Sequence, residues 1–193
     1  ENMVPGTADA VVTAASADEA ASLAASFETF IKQEAKISGN AELSDKTVTF
    51  HVVGKGAHGA SPQSGINAAT FLATFLNDYS FAEGAYSFIN TIAEFIHEDF
   101  YGEKLGVAFE DEKMGKLTMN AGIVNFDPEN SENSLVTLNF RYPKGTSAEE
   151  LQAKVQATVG ETVTATQGDR NQEPHYVPVD DPLVATLLQV RSE

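Results

Sequence analysis

Three features of this 193-residue sequence predict an α+β fold in which antiparallel strands carry helices on one face. Short β-branched runs alternate apolar and polar residues. Longer apolar stripes recur at helical spacing. The two kinds of segment follow one another as strand, helix, strand, strand, helix, strand between residues 46 and 167. That succession is the split βαβ, ferredoxin-like pattern, with one extra helix inserted after the first.

Residues 8–15, ADAVVTAA, read as a short strand. Ser16 and Glu19 make a capping box that opens a helix over 17–36, with Leu23, Phe27, Phe30 and Ile31 on one face. Ser38 and Gly39 are read as its stop, and 41–43 as a short extended piece. Asp45 and Lys46 lead into a strand over 47–53. Its Val48, Phe50 and Val52 point one way, and Thr49, His51 and Val53 the other. A glycine loop follows, then helices over 65–78 and 85–99 with apolar stripes through Phe71 and Phe75, and through Ile92 and Ile96. Residues 101–115 read as a loop. Strands over 116–126 and 134–142 are joined by a turn at 127–132. Ser147 and Glu150 form a second capping box before a helix to 159, and 162–166 read as a last strand. Three parts are expected: residues 1–45 with helix 85–99 as a small first lobe, 46–168 as the ferredoxin-like lobe, and 169–193 as a connector.

The chain has 12 basic and 28 acidic residues, a formal charge of −16, which argues against nucleic acid as a partner. No apolar run approaches the length of a membrane span. The absence of cysteine removes thiolate nucleophiles, disulfides and cysteine zinc sites, and is compatible with a cytoplasmic location. The opening Glu1-Asn2-Met3 reads as the interior of a longer polypeptide.

The stretch that concentrates chemistry is HVVGKGAHGASPQSGINA, from His51 to Ala68. Gly54, Gly56 and Gly59 spell a dinucleotide fingerprint, but the following helix starts too late to meet a pyrophosphate with its amides. His58 reads either as a surface histidine or, because the glycines on both sides permit close backbone approach, as an imidazole that could donate a hydrogen bond to a developing oxyanion. Arg141, at the end of its strand, reads either as one half of a surface ion pair or as a bidentate grip on a carboxylate. The topology is read as setting the first and third strands of the pattern side by side and parallel. Their ends would then share one edge of the sheet, with His58 close to Arg141. His51, His97 and His175 lack any metal-ligand spacing. His51 reads as a sheet-face residue and His97 as a helix-surface residue, and His175 lies in a loop of unassigned role.

GKGAHGASPQSGINAATFLATFL resembles the GK-x-AH-x-x-x-P-x-x-G-x-NA segment of the aminoacylase/carnosinase/PepV-type metallopeptidases, where it lies in the lid or dimerisation domain. ENMVPG at 1–6 resembles the PepV-type segment, and LNFRYPKGTSAEEL at 138–151 resembles the lid strand that carries a substrate-binding arginine. The resemblance implies the lid of a dipeptidase that removes the N-terminal residue of short peptides. In it His58 would stabilise the oxyanion, and Arg141 with Asn2 would hold the substrate's C-terminal carboxylate. Two zinc ions, their ligands and a glutamate base would belong to a separate catalytic domain, because the family's His-x-Asp and Glu-Glu motifs are missing here. On fold alone, a ferredoxin-like small-molecule-binding or oligomerisation module remains the alternative. The purified 193-residue chain is expected to bind no stoichiometric zinc and to hydrolyse no dipeptide. Elemental analysis with a dipeptide assay checks this, and zinc-dependent turnover would contradict it.

Overall fold

The computed structural model describes residues 2–168. Two apolar clusters organise them. The first lies under a three-stranded antiparallel sheet in the order β1-β3-β2, made of β1 (Thr7–Thr13), β2 (Ser38–Ser44) and β3 (Thr47–Val53). The alternation in β3 is realised: Val48, Phe50 and Val52 are fully buried, while Thr49 and His51 lie on the opposite face. Helices α1 (Ala17–Gln33) and α2 (Ala68–Leu76) supply the other side of this core. Phe27 of α1 meets Phe50 at 4.8 Å and Phe75 at 5.2 Å between ring centroids. Such pairs add about 0.5–1.5 kcal/mol each beyond simple burial.

Local signals account for most boundaries. The Ser16 hydroxyl accepts the Glu19 N–H, as a capping box requires, while the Glu19 carboxylate reaches back one residue further, to the Ala15 N–H. Helix α1 ends at Gln33, earlier than expected, because the chain turns extended at Glu34. Ser38 and Gly39 do not stop a helix; they open β2. Asp45 and Lys46 form the two-residue turn between β2 and β3, with Asp45 in the left-handed region at φ 53°.

The second cluster is built by α3 (Glu83–Phe95), the hairpin of β6 (Thr118–Asn125) and β7 (Leu135–Arg141), and α4 (Ala148–Val159). Ile92, Leu117, Met119, Leu151 and Val155 are its buried centre. A minimal hairpin, β4 (Glu110–Asp111) with β5 (Gly115–Lys116), interrupts the loop expected over 101–115. Buried Asp99 shapes the preceding turn by accepting the N–H groups of Tyr101, Glu103 and Lys104.

The chain is thus a mixed α and β fold with four helices and small antiparallel sheets. The four-stranded sheet expected from residues 46–168 is not formed among the described residues. Both edges of β3 are taken by β1 and β2, and β6 pairs with β7 in a separate sheet. A split βαβ is present, but it lies earlier in the chain: β1, α1 and β2, with β3 inserted antiparallel between the strands. Residues 162–166 form no strand. Their backbone is held by α4 side chains: Gln156 accepts the Ala165 N–H at 2.8 Å and donates to the Val163 carbonyl at 2.8 Å, and Gln152 donates to the Ala165 carbonyl at 3.0 Å. Polar groups that a neighbouring strand would satisfy are met by glutamines instead. The connector over 169–193, with His175, lies outside the described residues.

His97 corrects another expectation. It follows α3 but is half-buried against α2, with Nδ1 2.9 Å from the Thr70 hydroxyl and its ring edge-on to Phe71 at 4.5 Å. Burial lowers its pKa from the ordinary 6.5, the Glu98 carboxylate opposing that effect. The unfolded chain therefore takes up a proton near pH 6.5 that the folded chain refuses. Stability from this site is complete above that pH and is lost as the pH falls from 6.5 towards the lowered folded value. Thermal melts between pH 7.5 and 5 should show a smaller drop in Tm for His97→Gln than for the wild type. Equal drops would contradict this placement.

Candidate functional site

The strand β3 delivers the chain into a loop closed at its neck by two reciprocal backbone hydrogen bonds. Lys55 N–H donates to the Ile66 carbonyl at 2.9 Å, and Ile66 N–H donates to the Lys55 carbonyl at 2.8 Å. Within the loop a 3-10 turn, Pro62–Ser64, precedes α2, whose N-cap is Asn67. The Asn67 carboxamide oxygen accepts the Ala69 and Thr70 N–H groups, and its nitrogen donates to the Ala121 carbonyl of β6 at 3.0 Å. One side chain thereby caps the helix and ties it to the hairpin.

The glycines have a tighter purpose than room for a ligand. A Cβ at Gly54 would stand 2.2 Å from the Ile66 carbonyl oxygen, and one at Gly59 would stand 2.8 Å from the Asn2 carbonyl oxygen. At both positions the chain's own backbone fills the space. A Cβ at Gly56 would meet nothing closer than 3.7 Å. Helix α2 begins nine positions after Gly59, which agrees with rejecting the nucleotide fingerprint.

His58 sits at the exposed crown of the loop. Its Nδ1 accepts the Ala60 N–H at 3.1 Å. An Nδ1 used as acceptor carries no proton, so in the neutral ring the proton is on Nε2, which is a donor towards solvent. Met3 and His58 form an antiparallel bridge, with Gly59 N–H donating to the Asn2 carbonyl at 2.6 Å and Val4 N–H to the Ala57 carbonyl at 2.8 Å. Asn2 and His58, 56 positions apart in sequence, are therefore neighbours.

Arg141 is exposed at the end of β7, opposite Thr118. The Thr118 hydroxyl is buried, with no hydrogen-bond partner among the described residues. Two residues before Arg141, Asn139 faces Asn120 across the hairpin and accepts its carboxamide N–H at 3.4 Å, while the same Asn120 nitrogen donates to the Met3 carbonyl at 3.1 Å. One broad groove is lined by Asn2, Gly59, Asn139 and Arg141, together with apolar residues of α3 and β7. The histidine loop and the arginine strand thus converge, but not as expected. Strands β3 and β7 are not neighbours, and every strand pair among the described residues is antiparallel. Asparagine side chains and the Met3 backbone make the connection.

The other described histidines, His51 and His97, have structural partners. His51 lies on the outer sheet face, with Nδ1 2.5 Å from the Asp9 carboxylate directly opposite in β1. No group of three His, Cys, Asp or Glu side chains able to hold a metal ion occurs among the described residues. No described helix is long and apolar enough to cross a membrane.

These features define an α and β domain whose groove is lined by Asn2, Gly59 and Arg141, with His58 exposed on the loop next to Gly59. The chain matches no protein-family model. It is 38% identical over 164 residues to the Beta-Ala-Xaa dipeptidase of Lactobacillus delbrueckii subsp. lactis, covering 85% of this chain and 34% of that protein. It is 30% identical over 188 residues to a Staphylococcus saprophyticus protein named "Putative dipeptidase", covering 97% of this chain and 39% of that protein. A Staphylococcus aureus protein of the same kind is 29% identical over 187 residues, with the same coverages. The chain is a homologue of a domain-sized segment of these proteins and spans about a third of their length.

The His58 tautomer is directly measurable on this chain. Nitrogen-15 chemical shifts of the imidazole, assigned with His58→Gln, should show an unprotonated Nδ1 and a protonated Nε2 in the neutral ring. A protonated Nδ1 in the neutral ring would contradict the loop geometry.

Proposed function

We propose that this chain is the substrate-covering lid of a zinc-dependent dipeptidase, and that it supplies the groups that meet the substrate from the side opposite the metal. The observation that carries the reading is the placement of His58. Its Nδ1 is occupied by the Ala60 N–H, so Nε2–H points its donor capacity outward. Asn2 is backbone-paired beside it, and Arg141 lies on the groove that Asn2 and Gly59 also line. The likeness of 85–97% of the chain to about a third of proteins named dipeptidases supports the same reading.

In this reading the substrate peptide lies along the groove. His58 Nε2–H hydrogen-bonds to the scissile carbonyl oxygen and strengthens that bond as the oxygen gains charge, which lowers the barrier because the donor is already in place. Arg141 grips the substrate's C-terminal carboxylate with two parallel hydrogen bonds, aided by the Asn2 side chain. A fixed distance between these two points selects a dipeptide, since a longer peptide carries its carboxylate elsewhere. The two zinc ions and their base are assigned to the rest of the polypeptide, as the resemblance to the dipeptidases implies. The cytoplasm is the proposed compartment.

In the full-length polypeptide carrying this chain, His58→Ala should lower kcat by about two to three orders of magnitude with zinc content unchanged. Arg141→Ala should mainly raise KM for dipeptides, by about 10- to 100-fold, the range of a lost charge-assisted hydrogen bond. Steady-state kinetics with metal analysis decides the matter. An unaltered kcat removes His58 from the chemistry, and an unaltered KM removes Arg141 from substrate binding.

A further inference from the structure

Asn120 has no role in the reading above, yet it stands where the three proposed substrate-facing groups join. It is almost completely buried, at 3% exposure. A carboxamide nitrogen has two hydrogens. Here the Met3 carbonyl at 3.1 Å and the Asn139 side-chain oxygen at 3.4 Å are both in position to accept. The same nitrogen lies so near the His58 loop that a Cβ on Gly59 would come within 3.1 Å of it. Each neighbour leads to a different group. Met3 follows Asn2, Gly59 follows His58, and Asn139 precedes Arg141 by two residues on β7.

We propose that Asn120 is a positioning residue whose carboxamide locks the Asn2 segment and the His58 loop to the β6–β7 hairpin, fixing the separation between the oxyanion donor and the carboxylate grip. The inference rests on the function proposed above and adds what sets the length of substrate accepted. An aspartate at this position would keep the shape and lose both donors, leaving the Met3 carbonyl and Asn139 facing a carboxylate. The hairpin would then lose its register against the loop. A misplacement of about 1 Å between groups that must act together is enough to cost roughly 100-fold in rate.

The experiment uses the full-length enzyme and compares a dipeptide with its C-terminal amide, the ratio of kcat/KM values reporting how well the carboxylate is gripped at the reacting distance. Asn120→Asp should lower kcat/KM for the dipeptide by about 100-fold and collapse the dipeptide-to-amide ratio towards that of Arg141→Ala, with zinc content unchanged. A lowered Tm with the ratio intact would mean packing alone and would overturn the proposal, as would wild-type kinetics. Gly59→Ala disturbs the same junction from the loop side, so it serves if Asn120→Asp does not fold. It should collapse the ratio in the same way, and an intact ratio overturns the proposal. His58→Ala and Arg141→Ala run alongside. If they leave the kinetics unchanged, the proposed function fails. If they act and neither junction variant moves the ratio, only the role of Asn120 fails.

Discussion

The close approach of two backbones at Gly59 is the constraint on which the candidate site depends. A hydrogen bond of 2.6 Å joins Gly59 N–H to the Asn2 carbonyl, and any side chain at 59 would intrude on that oxygen. Because the contact is backbone to backbone, it fixes direction as well as distance. The Asn2 segment runs antiparallel to the loop, Val4 repeats the pairing at Ala57, and His58 is left between the two hydrogen bonds at the crown. The neighbouring Ala60 N–H then settles which imidazole nitrogen faces outward. A residue that would otherwise be a mobile surface histidine is oriented by three hydrogen bonds that involve no other side chain.

Around this junction the packing of α2 on α3 between the two halves of the domain is supplemented by carboxamides. Asn67 caps α2 and reaches β6, and Asn120 leaves β6 and reaches Met3 and Asn139. The ion pair that also crosses between the halves, Lys36 with Glu98 at 2.7 Å, is exposed, and such pairs contribute little. In a chain carrying a formal charge of −16, neutral donors at the junction have a further advantage. Their hydrogen bonds do not weaken with salt and do not add to the repulsion among carboxylates.

Much of this was legible in the sequence, and the boundary has a physical cause. Local rules act over a few residues and were obeyed: the two serine N-caps, the alternation in β3, the apolar stripes of α2 and α3, and the turn-bounded hairpin of β6 and β7. Sheet order is set by pairings between distant segments, and there the reading failed. β1 and β2 occupy both edges of β3 and leave none for β7, although β1, β3, β6 and β7 were each visible in the sequence. Residues 162–166 have strand-like alternation, yet Gln152 and Gln156 of α4 bond the Val163 and Ala165 backbone in place of a neighbouring strand. His97 looked like a surface residue because periodicity describes its own helix and says nothing about the face of α2 it meets. His58, Arg141 and Asn2 were singled out by their motifs. Asn120 was not, since an asparagine within a strand carries no sequence signal for the partners that folding brings to it.

The central claim is that one groove holds a tetrahedral oxyanion against His58 and a carboxylate against Arg141 at the same time. A crystal structure of the full-length polypeptide with a phosphinic dipeptide analogue, whose phosphinyl oxygen stands in for that oxyanion, tests it most directly. The account predicts His58 Nε2 about 2.7–3.1 Å from the phosphinyl oxygen, with Arg141 bidentate on the analogue's carboxylate. A bound analogue that touches neither residue would contradict it.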